Sequence, residues 1–103
     1  MSASYLNRLT LEACVVEKSP LRNNLAGCPV VDLVLQHQSD QEEIGSPRQT
    51  QFEIAAVAMG DAATAVDACV VGSYYKIQGF LNRKSLKSVK LRLHITHISP
   101  VID

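Results

Sequence analysis

The sequence predicts an all-β protein: a five-stranded Greek-key barrel with one short helix between the third and fourth strands. Three observations predict it. Apolar and polar residues alternate over several segments, as in half-buried strands. One run, residues 62–68, is rich in alanine. The chain has 103 residues, 47% hydrophobic and 19% charged, a composition typical of a globular protein. We therefore expect one domain over residues 1–103.

The first two strands are predicted on either side of a turn-rich stretch, residues 18–29, which contains Pro20, Gly27 and Pro29. Their inward positions are every second residue and apolar: Leu9, Leu11, Ala13 and Val15, then Val31, Leu33 and Leu35. Their outward positions include Cys14, Val16, Val30, Asp32 and Val34. Strand 1, with Cys14 and Val16, is the expected face of a dimer, because a sheet with exposed edges gains by covering one.

The third strand is predicted to begin at about Thr50, after a polar segment, residues 38–49, that is typical of a long exposed loop. Parity places Phe52 on the inward face and Gln51 on the outer face. Gly60 and Asp61 end the strand. Asp61 is the expected N-cap of the alanine-rich helix, which closes before Gly72.

The last two strands show the clearest alternation, and they are joined by a short basic loop. We expect the following residues to face inward: Tyr75, Ile77, Gly79 and Leu81, then Val89, Leu91, Leu93 and Ile95. The order strand, strand, strand, helix, strand, strand is that of the OB-fold. Barrels of this kind bind oligonucleotides or oligosaccharides on strands 2 and 3 and on the loops 1–2 and 4–5.

The formal net charge of zero conceals two halves of opposite sign. Residues 1–72 contain four Lys/Arg and nine Asp/Glu, whereas residues 73–103 contain six Lys/Arg and one Asp. Five of these six cations lie between Arg83 and Arg92. A local field of this kind attracts a polyanion whatever the total charge.

Cations beside aromatic faces are the combination that single-stranded nucleic acid requires, because phosphates pair with the cations and bases stack on the rings. The predicted nucleic-acid-binding residues are Tyr74, Lys76, Phe80, Arg83, Lys84, Lys87, Lys90 and Arg92, with Gln38 and Gln51 on strands 2 and 3. Two other interpretations stay open. These cations could simply solvate the sheet, or the surface could dock a protein, as acidic residues 40–43 and exposed Val30 and Val34 suggest.

Other chemistry finds no support in the sequence. His94 and His97 should face opposite sides of a regular strand, so we expect no metal site. Adjacent Glu42 and Glu43 lie in a polar segment, and three widely spaced cysteines form neither a disulfide framework nor a recognisable nucleophile. We expect no catalysis, no cofactor and no membrane segment, and a cytoplasmic location.

Short segments spread over nearly the whole chain carry a resemblance to a known family. They are residues 7–9 (NRL), 19–22 (SPLR), 35–45 (LQHQSDQEEIG), 48–49 (RQ), 71–73 (VGS), 78–80 (QGF) and 93–94 (LH). Together they make the chain similar to the family of primosomal replication protein N (PriB), within the wider group of bacterial single-stranded-DNA-binding proteins.

This resemblance implies a homodimeric OB-fold without catalytic activity. It implies binding of single-stranded DNA and assistance to a PriA-type helicase and a DnaT-type primosome protein. The family's DNA-binding cations match Arg83, Lys84, Lys87 and Lys90, and its aromatic residue in strand 4 matches Phe80.

The chain departs from better-known members of this family at three positions. Gln38 replaces an Arg, Asn23 a Lys, and Gln51 a stacking Trp. Asp32 also adds negative charge to the outer face of strand 2. Because each stacked base contributes about 1–3 kcal/mol and each cation adds to phosphate binding, we predict weaker DNA binding than in basic family members.

Overall fold

The computed structural model describes residues 4–101. The elements in chain order are β1 (Leu9–Lys18), β2 (Arg22–Asn23), β3 (Pro29–Glu43), β4 (Ser46–Met59), α1 (Asp61–Asp67), β5 (Tyr74–Arg83) and β6 (Leu91–Pro100). The two-residue β2, which pairs with the start of β3, is an addition to the five predicted strands. The predicted strands 1 to 5 are therefore β1, β3, β4, β5 and β6.

One sheet closes on itself to form the barrel. Its strand order is β1-β5-β6-β4-β3-β2, and a further pairing of β1 with β3 joins the two sides. Only β4 and β6 run parallel; the other neighbours are antiparallel. The all-β, five-stranded barrel with one helix between the third and fourth barrel strands is confirmed.

The barrel interior is filled by the alternating apolar residues of its strands. Ala13, Val15, Val31, Leu35 and Ile77 are fully buried in one cluster. From α1 the cluster also receives Ala63 and Val66, so the helix closes one end of the barrel. Each large side chain removed from water in this way contributes about 1.5–3 kcal/mol.

The segment predicted to be an exposed loop is a β-hairpin, and that prediction is wrong. Strand β3 continues to Glu43, and β4 begins at Ser46. The two-residue turn has positive φ at Ile44 (52°) and at Gly45 (71°). Such turns match the twist of the paired strands, although a β-branched residue rarely occupies the first position. Residues 40–49 are nevertheless exposed, as predicted.

The helix begins one residue earlier than predicted. Gly60 (φ 67°) is the N-cap, and Asp61 is the first helical residue, so the assignment of Asp61 as N-cap is wrong. No side chain caps this end. At the other end the ammonium group of Lys18 donates to the carbonyl oxygens of Asp67 and Cys69, both at 2.7 Å. This cation fixes the carboxyl end of the helix to β1.

A bulge in the β5–β6 pairing changes which residues of β6 face outward. Gln78 pairs with His97, but the next residue, Gly79, pairs with Ile95, so Thr96 is the extra residue. Phe80 then pairs with His94. Since Gln78 and Phe80 share the outer face, His94 and His97 do so as well. The prediction that the two histidines face opposite sides is wrong for this reason.

Three further burial predictions are wrong. Val89 and Leu91 are 94% and 51% exposed, because β6 begins only at Leu91 and the preceding residues belong to the loop. Val30 is only 4% exposed, although it lies outside the interior cluster, so it offers no docking surface. One placement is wrong as well, because Lys90, predicted in the fifth strand, lies in the loop before β6.

Candidate nucleic-acid interface

The loop between β5 and β6, residues 84–90, is called the basic loop here. The backbone N–H of Lys84 donates to the carbonyl oxygen of Lys90 at 2.9 Å and closes its base. The Arg83 guanidinium donates to the carbonyl oxygen of Leu86 at 3.0 Å. The side chains of Lys84, Lys87 and Lys90 are exposed. The basic loop therefore presents exposed cations on a closed backbone frame.

A groove of about 570 Å³ lies at the foot of the basic loop, between it and the segment that follows β1. Its walls come from all six strands or their flanks, and its lining includes Lys18, Arg22, Asp32, Lys84 and Arg92. Small side chains, Ala55 and Ala56 of β4, form part of the lining. This is the position at which OB-folds bind oligonucleotides, where loops 1–2 and 4–5 meet.

The groove carries more positive than negative charge. Four cations and two carboxylates, Glu17 and Asp32, line it. One carboxylate is already paired: Nη1 of Arg22 lies 2.6 Å from Oδ2 of Asp32. Asp32 does face outward as predicted, but its charge is offset locally by Arg22. The groove thus keeps Lys84 and Arg92 available for an anionic ligand.

Phe80 and His94 form a stacked pair on the outer face of β5 and β6, and Phe80 lines two depressions separate from the groove. Their ring centroids are 4.9 Å apart and the rings are nearly parallel, at 10°. Phe80 remains 38% exposed. Because one face of the Phe80 ring lies against His94, the opposite face is the one left for a nucleobase. Burial, and then the charge of Arg92, lower the pKa of His94.

A second aromatic pair lies on the β3–β4 hairpin. The centroids of His37 and Phe52 are 5.1 Å apart at 33°. The ring of His37 is held between the carbonyl oxygen of Glu12 and the hydroxyl of Ser39, both at 2.7 Å. Phe52 was predicted to face inward; it is 39% exposed, since the hairpin extends beyond the barrel at this point.

The structure brings some of the predicted binding residues together and separates others. Lys84 and Arg92 line the groove, whereas Lys76 lines a depression beside α1. Tyr74 and Gln38 line a third depression, and Gln51 pairs with Gln38 across the hairpin. The residues predicted on the outer face of β5, namely Tyr74, Lys76, Gln78 and Phe80, are all exposed there.

Sequence reasoning missed three residues of this surface: Lys18, Arg22 and His94. Lys18 and Arg22 belong to the acidic half of the chain, so the charge count did not single them out. Lys18 ends β1 and Arg22 lies within the connection from β1 to β3, the first loop of an OB-fold, and this placement was a usable signal. His94 was considered only as a metal ligand. The alternation already placed it on the outer face, and the register of β5 and β6 sets it opposite Phe80.

Strand β1, the expected dimer face, pairs along both of its edges in the same barrel. Residues 9–14 pair with β5 and Cys14 to Lys18 with β3. Cys14 is only 8% exposed, so its thiol is covered by its own chain. The unpaired edges belong instead to the hairpin, where β3 and β4 pair only with each other beyond Gln36 and before Ala56.

The described residues, 4–101, also bear on membrane insertion and metal binding. No helix in this part of the chain is long and apolar enough to cross a membrane. Within the same residues, no cluster of three or more His, Cys, Asp or Glu side chains is placed to hold a metal ion.

Comparisons with known proteins agree with this fold. A family model described as "Another single-strand binding protein family" matches residues 7–97. The PriB protein of Ralstonia solanacearum superimposes with a TM-score of 0.84 at 33% identity, covering 93% of this chain and 98% of that one. A small single-stranded DNA-binding protein from Streptomyces coelicolor gives a TM-score of 0.71 at 16% identity, covering 92% of each chain, and shows the shared fold alone.

Curated relatives narrow the family to which the chain can be assigned. Replication restart protein PriB of Bordetella pertussis is 39% identical over 90 residues, 87% of this chain and 84% of the relative. The protein of the same name from Neisseria meningitidis serogroup B is 37% identical over 94 residues, 91% and 93% of the two chains.

The fold and the family match together define an OB-fold protein of the single-strand binding class. Within that class, the chain belongs to the replication restart protein PriB family. The names of these relatives describe restart of replication and binding of single strands, and not an enzymatic reaction.

Proposed function

We propose that this protein is a non-catalytic, single-domain accessory of replication restart that binds single-stranded DNA without strong sequence preference. The observation that carries the proposal is the groove at the foot of the basic loop, which Lys84 and Arg92 line. The exposed ring of Phe80 lies on the outer face of the same strand pair, opposite His94 and one outward position along from Arg92. Membership in the PriB family supports the restart role.

The chemistry of this surface suits the backbone and the flat faces of an unpaired strand. Phosphates pair with the groove cations and with Lys87 and Lys90 of the basic loop. One base stacks on the free face of Phe80, which contributes about 1–3 kcal/mol. Lysine ammonium groups bind phosphate without reading base edges, so affinity should vary little with sequence.

The remaining parts of the proposal rest on the family. We infer a homodimer in the cytoplasm, in which basic loops of both subunits hold one strand while a PriA-type helicase and a DnaT-type protein act on it. Gln51 stands where better-known family members have a stacking Trp. Gln38 and Asn23 stand where those members have a cation. We therefore expect weaker DNA binding than in relatives that have them.

The test is oligonucleotide binding by a loop variant. Replacing Lys84, Lys87 and Lys90 together with Ala should remove most of the fluorescence-anisotropy response of a labelled dT oligomer at low salt. The matched control is Arg48→Ala, which removes an exposed cation from the hairpin, where Arg48 lies 3.5 Å from Glu43. Unchanged binding by the triple variant would contradict the DNA-binding proposal.

A second candidate function, a protein-docking adaptor with incidental DNA binding, is favoured by one feature of the basic loop. Leu86 and Val89 are 85% and 94% exposed between its lysines. Exposed aliphatic side chains do not help to bind phosphate, but they fit a protein partner. Binding of dT oligomers that disappears already at physiological salt would favour this role; binding that persists there favours the DNA-binding role.

A further inference from the structure

Arg92 and His94 occupy successive outward positions of β6, and each buries a nitrogen atom that has no hydrogen-bond partner. The atoms are Nε of Arg92 and Nε2 of His94, and they are the two such side-chain atoms found within residues 4–101. A buried polar group without a partner costs about 1–3 kcal/mol. Two on neighbouring side chains mark a place where a ligand able to accept hydrogen bonds would be stabilised.

The groups of residues 4–101 that pack around the His94 ring include no anion. Phe80 of β5 covers one face of the ring, and Val57 of β4, 1% exposed, is its register partner on the other side. Arg92 lies two residues away on the same strand. Asp32 lies one strand further across the sheet, opposite Val57 on β3, and its carboxylate pairs with Arg22.

Another titratable group on this face is His97, which is exposed, beyond the bulge and opposite Gln78. His94 differs because burial first, and the Arg92 charge second, lower its pKa from 6.5. In the free protein the imidazole of His94 is therefore mostly neutral at pH 7. A negative charge nearby would favour its protonation.

We propose that Arg92 and His94 form a phosphate subsite of the groove, in which His94 takes up one proton when a backbone phosphate binds. This inference rests on the proposed function and assigns a role to a side chain outside the predicted binding set. A phosphodiester stays a monoanion from pH 5 to pH 8, so the proton goes to the imidazole. The phosphate offsets the Arg92 charge and accepts from both side chains, and both effects favour the imidazolium form.

Because phosphate binding and proton uptake by His94 are linked, the affinity for DNA depends on pH in one direction. The free imidazole has a pKa below 6.5, and the phosphate raises the pKa in the complex. Between these two values the complex holds more protons than the free protein, so affinity rises as the pH falls. One linked proton limits the effect to about tenfold per pH unit.

The experiment measures the affinity of a labelled dT oligomer from pH 8 to pH 5.5 at constant ionic strength. The wild-type protein should bind about three- to tenfold more tightly at pH 5.5 than at pH 8. His94→Gln should lose most of this dependence, since the amide cannot titrate. The matched control, His97→Gln, removes a histidine from the same face and should keep the wild-type dependence.

A second measurement does not depend on a variant. The pKa of His94, followed by the NMR resonance of its Cε1–H, should rise when saturating dT oligomer is added to the wild-type protein. An unchanged His94 pKa, or an unchanged pH dependence in His94→Gln, overturns the subsite while leaving DNA binding intact. Absence of oligomer binding at every pH overturns the proposed function itself.

Discussion

Arg22 and Asp32 form an ion pair, with 2.6 Å between Nη1 and Oδ2, that links the two-residue strand β2 to the outer face of β3. Their side chains are 54% and 43% exposed, so the pair contributes at most about 1 kcal/mol to stability. Its larger effect is electrostatic. It occupies one of the cations that line the groove.

Replacing Asp32 with Asn should therefore strengthen DNA binding. The change frees Arg22 and removes a charge that repels phosphate. We expect about two- to fivefold higher affinity for a dT oligomer at low salt, corresponding to roughly 0.4–1 kcal/mol. The measurement is an anisotropy titration. The control is Glu43→Gln, which removes an exposed carboxylate paired with Arg48 at the hairpin tip; equal gains in both variants would contradict a local effect.

The hairpin turn should be stabilised by Ile44→Asn. Ile44 is 95% exposed and has a φ of 52°, so it buries nothing and adopts a conformation unfavourable for a β-branched residue. Asn tolerates this conformation, and relief of the strain should raise the free energy of unfolding by about 1 kcal/mol. Urea denaturation tests this. Ile44→Val keeps the branched Cβ and should show no gain; a loss of stability in the Asn variant would refute the argument.

Gly79 lies against the backbone of the bulged strand, and Gly79→Ala should destabilise the barrel. A Cβ atom at this position would overlap the carbonyl oxygen of His94. Since this obstacle is backbone, the strands must separate locally, at a cost of about 1–3 kcal/mol or more. Thermal unfolding measures it. The neighbouring Gln78→Ala, on the exposed face, should stay within about 0.5 kcal/mol of wild type.

Lys18→Met should loosen the attachment of α1 to β1. The variant keeps most of the apolar stem but loses the two charge-assisted hydrogen bonds to the carbonyl oxygens of Asp67 and Cys69. We expect about 1–3 kcal/mol lower stability and faster amide exchange in the helix. Lys76→Met, at an exposed position of β5, is the control. Equal stability of the two variants would show that the contact contributes nothing.

The barrel was predictable because its strands are buried on one face only. In β1 and β5 the alternation of Leu11, Ala13 and Val15, and of Tyr75 and Ile77, follows directly from that. The hairpin was not, because beyond Gln36 both of its faces are exposed and no hydrophobic period is left. The bulge at Thr96 was not predicted either, because the glycine that accompanies it, Gly79, lies on the partner strand β5 and not on β6 itself.

Only the part of the site that is continuous in the sequence was predictable. The basic loop is one stretch of sequence, so its charge stands out in a count. The groove, by contrast, combines Arg22, Asp32 and Arg92 from strands far apart in the chain, and only the closed barrel brings them together. His94 depends on the same closure, together with the register that places it opposite Phe80.

The central claim is that cations of the basic loop and groove bind phosphates of an unpaired strand, and the salt dependence of dT-oligomer affinity tests it most directly. If about three to five phosphates are neutralised, log K should fall against log salt concentration with a slope of about −2 to −3.5, using about 0.7 per phosphate for single strands. A slope near zero, or no binding at the lowest salt concentration, would contradict the claim.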